Sequence, residues 1–332
     1  MSANVNFDSN TGMSNTPSPE ANVASAVLAP RVKPFYWSVR RELWENRSIY
    51  LAPLAVAVIV LVSAFIGLLR ASGSFPFQAL VDVPPDQFRI AGLAMYFSIA
   101  GILAVTAAIV GWFYCLDALS GERRERSILF WRSLPVSDVT TVLSKVLVGM
   151  GLVPLVALIV GLALFIVLLL IASIVLMVNG GGGGQLLANA ALGESLFVHI
   201  YAAIAAILWG VPLYAWAIFV SSWARRATFL WALMVPAAIA LAEGLAFGTK
   251  HFLALISSRF ESGFRYAFVE SAQLMQSPEN SVKFDPSRFP ESLISLMDPA
   301  RFLSQPGLWI GLVVAAAFIA AAIWMRRYRE PL

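Results

Sequence analysis

Residues 120–145 read SGERRERSILFWRSLPVSDVTTVLSK, and apolar runs long enough to cross a bilayer flank them on both sides. A stretch this charged cannot lie in hydrocarbon, so it is expected in water at a membrane face. Arg123, Arg124, Arg126, Arg132 and Lys145 share it with an apolar patch, Ile128-Leu129-Phe130-Trp131. A short loop that combines arginines with exposed apolar side chains is suited to being gripped by a soluble partner.

The rest of the chain has the composition of a membrane protein. It is 59% hydrophobic and 13% charged, against about a quarter charged in soluble domains. A net charge of +4 is too small to suggest nucleic acid, so what matters is where the basic residues lie. The single cysteine, Cys115, excludes an intramolecular disulfide. His199 and His251 are the only histidines, too few for a histidine-rich metal or catalytic cluster.

Crossing about 30 Å of hydrocarbon takes roughly 20 helical residues. Six segments meet that length: 49–69, 91–116, 146–178, 196–223, 228–247 and 307–325. Six crossings place both termini on one side. With that side taken as cytoplasmic, it holds fifteen of the 23 basic residues, the excess expected of the inner face. Residues 1–30, rich in Ser, Asn, Pro and Ala, read as a disordered cytoplasmic tail, and 31–332 as one transmembrane domain.

Four pieces depart from a plain bundle. Pro34 opens a short helix whose Phe35, Tyr36, Val39 and Leu43 share one arc, with Ser38, Arg41, Glu42 and Glu45 opposite; this is an interfacial helix on the inner leaflet. It fits an orienting anchor and a mechanical element equally. The third apolar segment, about 50 Å if fully helical, must tilt, kink at Pro154 or protrude on the cytoplasmic side. Gly180 to Gly184 read as a slack linker. Between the fifth and sixth spans, apolar stretches at 252–256 and 293–297 argue for short helices packed on the outer mouth of the bundle.

Catalytic motifs are missing from the sequence. Residues 244–250 read GLAFGTK, not a phosphate loop, and no H-E-x-x-H occurs. ATP hydrolysis is therefore not expected of this chain. Glu243 is the one acid well inside a predicted span; it is a candidate for the substrate path, against a structurally paired glutamate. Asp117, at the inner end of the second span, reads as a helix-end or salt-bridge residue.

The order of these pieces resembles the permease subunits of ABC-2-type exporters, over nearly the whole chain from about residue 31. The nearest local likeness is 122–145. There the family's acidic and small-residue stretch, leucine-rich patch, proline and later lysine are matched by Glu122 or Glu125, Ser127, Leu129, Leu134-Pro135 and Lys145. Asp298 to Leu303, followed by a final span and Arg326-Arg327-Tyr328-Arg329, is also similar to the family. The glycine run and the enlarged last outer loop depart from its common members.

The resemblance implies an all-α integral membrane protein of six transmembrane helices in a bacterial-type inner membrane. A second permease, identical or not, would pair with it among the membrane lipids. A separate ATP-binding-cassette subunit would bind ATP and Mg and dock on a cytoplasmic coupling helix over 122–133. Arg123, Arg124 and Arg126, with Glu122 and Glu125, would select the partner's rim; Ile128, Leu129, Phe130 and Trp131 would fill its groove, and Pro135 would close the turn. A membrane anchor or sensor without a conduit is the alternative reading, and an intramembrane enzyme a third.

Overall fold

The computed structural model describes residues 34–71, 85–124, 137–179, 182–268 and 292–328. The expected tail over 1–30 and the loop residues Glu125, Arg126, Ile128, Leu129, Phe130, Trp131 and Pro135 lie outside the described residues. Those described are helical nearly throughout. The helices are α1 (Pro34–Glu45), α2 (Ser48–Ala71), α3 (Pro85–Asp117), α4 (Ser120–Arg124), α5 (Asp138–Leu147) and α6 (Val153–Val178). They continue with α7 (Gly183–Ala188), α8 (Leu192–Trp223), α9 (Thr228–Phe247), α10 (His251–Ala267), α11 (Pro299–Leu303) and α12 (Pro306–Tyr328). Among the described residues there is no strand, only an isolated antiparallel bridge between Phe268 and Met297.

Six helices are long and apolar enough to cross a membrane: Ser48–Arg70, Gly92–Asp117, Asp138–Val178, Leu192–Trp223, Thr228–Phe247 and Pro306–Tyr328. They match the six segments expected from sequence. Between the described ends, α3, α6, α8 and α12 form the packed centre, whereas the first and fifth spans carry few buried side chains.

The third span starts at Asp138, not at Val146, because Ser137 provides a cap: its hydroxyl accepts from the Thr140 N–H at 3.1 Å. The resulting helix runs 41 residues, and a π-helical turn, Val148–Leu152, interrupts it. Pro154 follows directly. Proline has no N–H and its ring collides with the carbonyl four residues back, Met150 here. The wider turn takes up that misfit, so the kink anticipated at Pro154 appears as a π-turn just before it.

That turn is also where the second and third spans meet backbone to backbone. A Cβ on Gly111 would lie 2.9 Å from the Gly149 carbonyl oxygen, and one on Gly149 would lie 2.6 Å from Cys115 Sγ. Small residues at a crossing let helices gain dispersion contacts that larger ones would block.

The glycine run is more than a slack linker where it is described. Gly183 opens α7 and its backbone rests on α6, with Ser173 Oγ donating to the Gly183 carbonyl. Any side chain there would strike the Ser173 carbonyl. Gly180 and Gly181 lie outside the described residues. Where it is described, the long connection after α9 forms short helices on the bundle, as its apolar stretches imply. Tyr201 Oη donates to the Ala267 carbonyl at 2.9 Å, and α10 packs along α8.

The two glycine environments yield a paired test. Gly149→Ala should cost about 1–3 kcal/mol of stability through overpacking, because Cys115 and Tyr114 close around the site. Gly101→Ala, with nothing within 4 Å, should cost nothing. Thermal unfolding of the purified variants in detergent checks both.

Candidate functional site

The flanks of the 120–145 stretch converge on a buried charge cluster. Glu42 on α1, Glu122 on α4, Lys145 on α5 and Arg326 near the end of α12 are each less than a tenth exposed. Apolar packing explains how they come together: Val39 and Leu43 hold α1 against the core while Ile319 and Ile323 hold α12. Glu42 and Lys145 therefore meet from positions 103 residues apart.

Lys145 Nζ lies 2.7 Å from Glu42 Oε1 and 3.1 Å from Glu122 Oε1. Arg41 Nη2 bridges the same two carboxylates at 3.0 and 2.9 Å. Arg326 donates through Nη1 to Glu122 Oε2 at 2.8 Å and through Nε to Asp138 Oδ1 at 3.1 Å. Tyr114 Oη, from α3, donates to Glu42 Oε2 at 2.9 Å. Among the described residues, three cations, Arg41, Lys145 and Arg326, thus meet the carboxylates of Glu42, Glu122 and Asp138, and Arg41 Nε also lies 3.3 Å from the more exposed Glu45.

Removing ions from water costs several kcal/mol each, comparable to what their mutual attraction returns. The cluster therefore contributes geometry more than net stability: taking away one partner strands the others. Burial alone would raise the Glu122 pKa, but the Lys145 and Arg326 charges and their hydrogen bonds outweigh it and hold the carboxyl down at about 2.

A second tie runs beside the first. Arg123 donates to the carbonyls of Ser222 at 2.7 Å and Ala224 at 3.0 Å, and also to that of Ser221. A guanidinium on the last free carbonyls of α8 caps it and complements its dipole. In return, Ser221 Oγ accepts from the Leu119 and Ser120 N–H groups, both at 3.0 Å.

Glu122 and Arg123 are therefore turned into the bundle, where they anchor the base of the loop. Arg124 is exposed and lies 3.7 Å from Asp117 Oδ1, an exposed pair of little energetic weight and the salt bridge expected for Asp117. The remaining predicted docking residues fall outside the described segments. Glu243 is occupied as a cap: its carboxylate accepts from Thr249 Oγ1 at 2.6 Å and from the His251 and Phe252 N–H groups at 2.8 Å, fixing the start of α10. Among the described residues, no group of three or more His, Cys, Asp or Glu side chains could hold a metal ion.

Sequence reasoning missed the cluster because Arg41 and Glu42 sit on the polar arc of an amphipathic helix, which reads as facing water. The available signal was Lys145 itself. A lysine followed by more than thirty apolar residues, in line with one helical run, needs a nearby carboxylate. No family model, curated protein or solved structure matches the chain.

Two outcomes test the cluster. Lys145→Met should cost about 3–5 kcal/mol by leaving Glu42 and Glu122 short of a counter-charge, read as a large drop in melting temperature. Because the Glu122 pKa is depressed on folding, its stabilisation is complete above the ordinary value of 4.5 and is lost as pH falls from there to about 2. Unfolding followed across that range should show an acid limb that Glu122→Gln flattens.

Proposed function

We propose that this chain is the membrane permease subunit of an ATP-binding-cassette exporter, and that the 125–136 segment is the docking site of a separate ATPase subunit. One observation carries the reading: both flanks of that segment are tied, through Glu122, Asp138 and Lys145, to α1 and to the last span. Force applied to the segment reaches α1, α3, α5 and α12 together, with Arg123 adding α8. A partner that moves the segment therefore moves the bundle, which is what coupling ATP turnover to alternating access demands.

In this reading ATP and Mg belong to the partner, and two permeases enclose the translocation path. In the same reading both termini and the charge cluster face the cytoplasm across a bacterial-type inner membrane, an orientation that the distribution of basic residues supports. α1 lies on the inner leaflet, with Trp37 and Trp44 exposed and Arg40 over both rings at 5.2 and 4.6 Å. Indole rings stacked on a guanidinium suit the headgroup layer. Glu42 on the opposite side makes α1 a lever as well as an anchor.

Two classes of variant should separate. Leu129→Asp or Phe130→Asp should abolish co-purification of an ATPase with the full chain from its native membranes, since burying a carboxylate in an apolar groove costs more than 2 kcal/mol. Glu42→Gln should leave the ATPase bound but lower the permease-dependent ATP hydrolysis of the complex by about tenfold, a loss of roughly 1.4 kcal/mol of coupling. Recovery of a wild-type complex with either Asp variant would overturn the docking assignment.

A further inference from the structure

A second feature lies away from the charge cluster. Helices α3, α6, α8 and α10 line a slot of about 220 Å³. On α8 its lining runs His199, Ala203, Ala206, Gly210 and Tyr214, a single face at helical spacing. That face is about 22 Å long at 1.5 Å per residue, longer than half of a roughly 30 Å hydrocarbon core. On α3 the matching face is Ala100, Ala104, Ala107 and Ala108. Ala104, Ala108 and Ala206 remain exposed along it, so the slot is open and not sealed.

One cation lines this apolar slot. Arg259 of α10 stacks over the Trp209 ring at 4.9 Å and donates from Nη2 to the Gly307 carbonyl at 2.8 Å. Its Nη1 is packed against Gly311 of α12 with no hydrogen-bond acceptor, and no carboxylate pairs with the guanidinium among the described residues. The missing side chain of Gly311 leaves room for the group, which a Cβ would approach to 2.7 Å. Partial burial pulls the Arg259 pKa below the usual arginine value. Contrast the charge cluster, where every cation has its carboxylate.

We infer that the slot is a binding site for an anionic bilayer lipid, with an acyl chain along the alanine faces and a headgroup oxygen on Arg259. An open, narrow, apolar slot within a membrane is filled at least cost by hydrocarbon, because its small lining side chains leave dispersion contacts unmade. The guanidinium then selects a carboxylate or phosphate oxygen, the acceptor that gives its strongest hydrogen bonds. Tyr96 Oη and His199 Nδ1, 2.9 Å apart, hydrogen-bond to one another at the far end. The inference stands whether or not the chain works with an ATPase.

The probe is phosphatidylglycerol bearing a photoactivatable diazirine in one acyl chain, compared with phosphatidylcholine bearing the same group. Each is incorporated into phosphatidylcholine vesicles containing the full chain, and labelled peptides are mapped by mass spectrometry. The anionic probe should label 100–108 and 199–214 about tenfold more than the zwitterionic one, because both offer Arg259 a phosphate oxygen but the choline cation of the zwitterionic lipid offsets the attraction. Arg259→Gln should reduce it to the zwitterionic level. Ala206→Phe, which leaves Arg259 in place, should suppress labelling by both probes and decides the matter if Arg259→Gln fails to fold. Equal labelling by the two probes, labelling confined to the lipid-facing Ser48–Ala71 helix, or labelling undiminished in Ala206→Phe would overturn the site. Loss of labelling in millimolar inorganic phosphate would reassign it to a free anion and equally overturn a lipid site.

Discussion

The charged end of the bundle depends on neutralising Lys145. The residue is 2% exposed, on a helix that passes through the π-turn into the most apolar span among the described residues. An isolated charge there would be expelled or deprotonated. The carboxylates that keep it in place come from α1 and α4, and Glu122 in turn requires Arg326 from the far end of the sequence. Ionic contacts near 3 Å tolerate little displacement, so segments separated by nearly three hundred residues are fixed in one arrangement. Apolar side chains of the same volume could hold these helices together equally well, but they would allow them to slide.

The same end shows how the chain closes its helix termini. Four carbonyls at the end of any α-helix lack intrahelical partners. Those of α8 are met by Arg123, while the amides at the start of α4 are met by the Ser221 hydroxyl. One residue pair thus caps the end of one helix and the start of another, and the charged loop begins from a base tied to α8.

The spans were legible because about twenty apolar residues in a row admit few other structures, and the observed helices differ from the expected ones mainly at their ends. Ser137 shows why the ends differ: one hydroxyl capping Thr140 adds eight residues before the apolar run begins. Pro154 announced an irregularity but not its form, since a kink and a π-turn relieve the same clash. The ionic cluster was not legible, because pairing between Glu42 and Lys145 is a property of the tertiary fold and their local patterns read as solvent-facing. Glu243 was conspicuous as an acid in an apolar helix, yet its role depends on Thr249, His251 and Phe252 folding back over it. Arg259, in a connection that reads only as short helices, gave no sign of the slot it lines.

The spans also differ in length, and this bears on the surrounding lipid. α8 has 32 residues and its sequence neighbour α9 has 20, or roughly 48 and 30 Å of helix. A 30 Å rod fits an average hydrocarbon layer, whereas its neighbour overshoots by more than half. The protein consequently presents an annulus of uneven height: lipids bordering α9 meet a short wall, and those bordering α8 a tall one. Beside α9 the bilayer keeps its ordinary thickness, whereas beside α8 either the helix leans over or the lipid stretches to meet it, so the strain in the surrounding layer falls on one side of the protein.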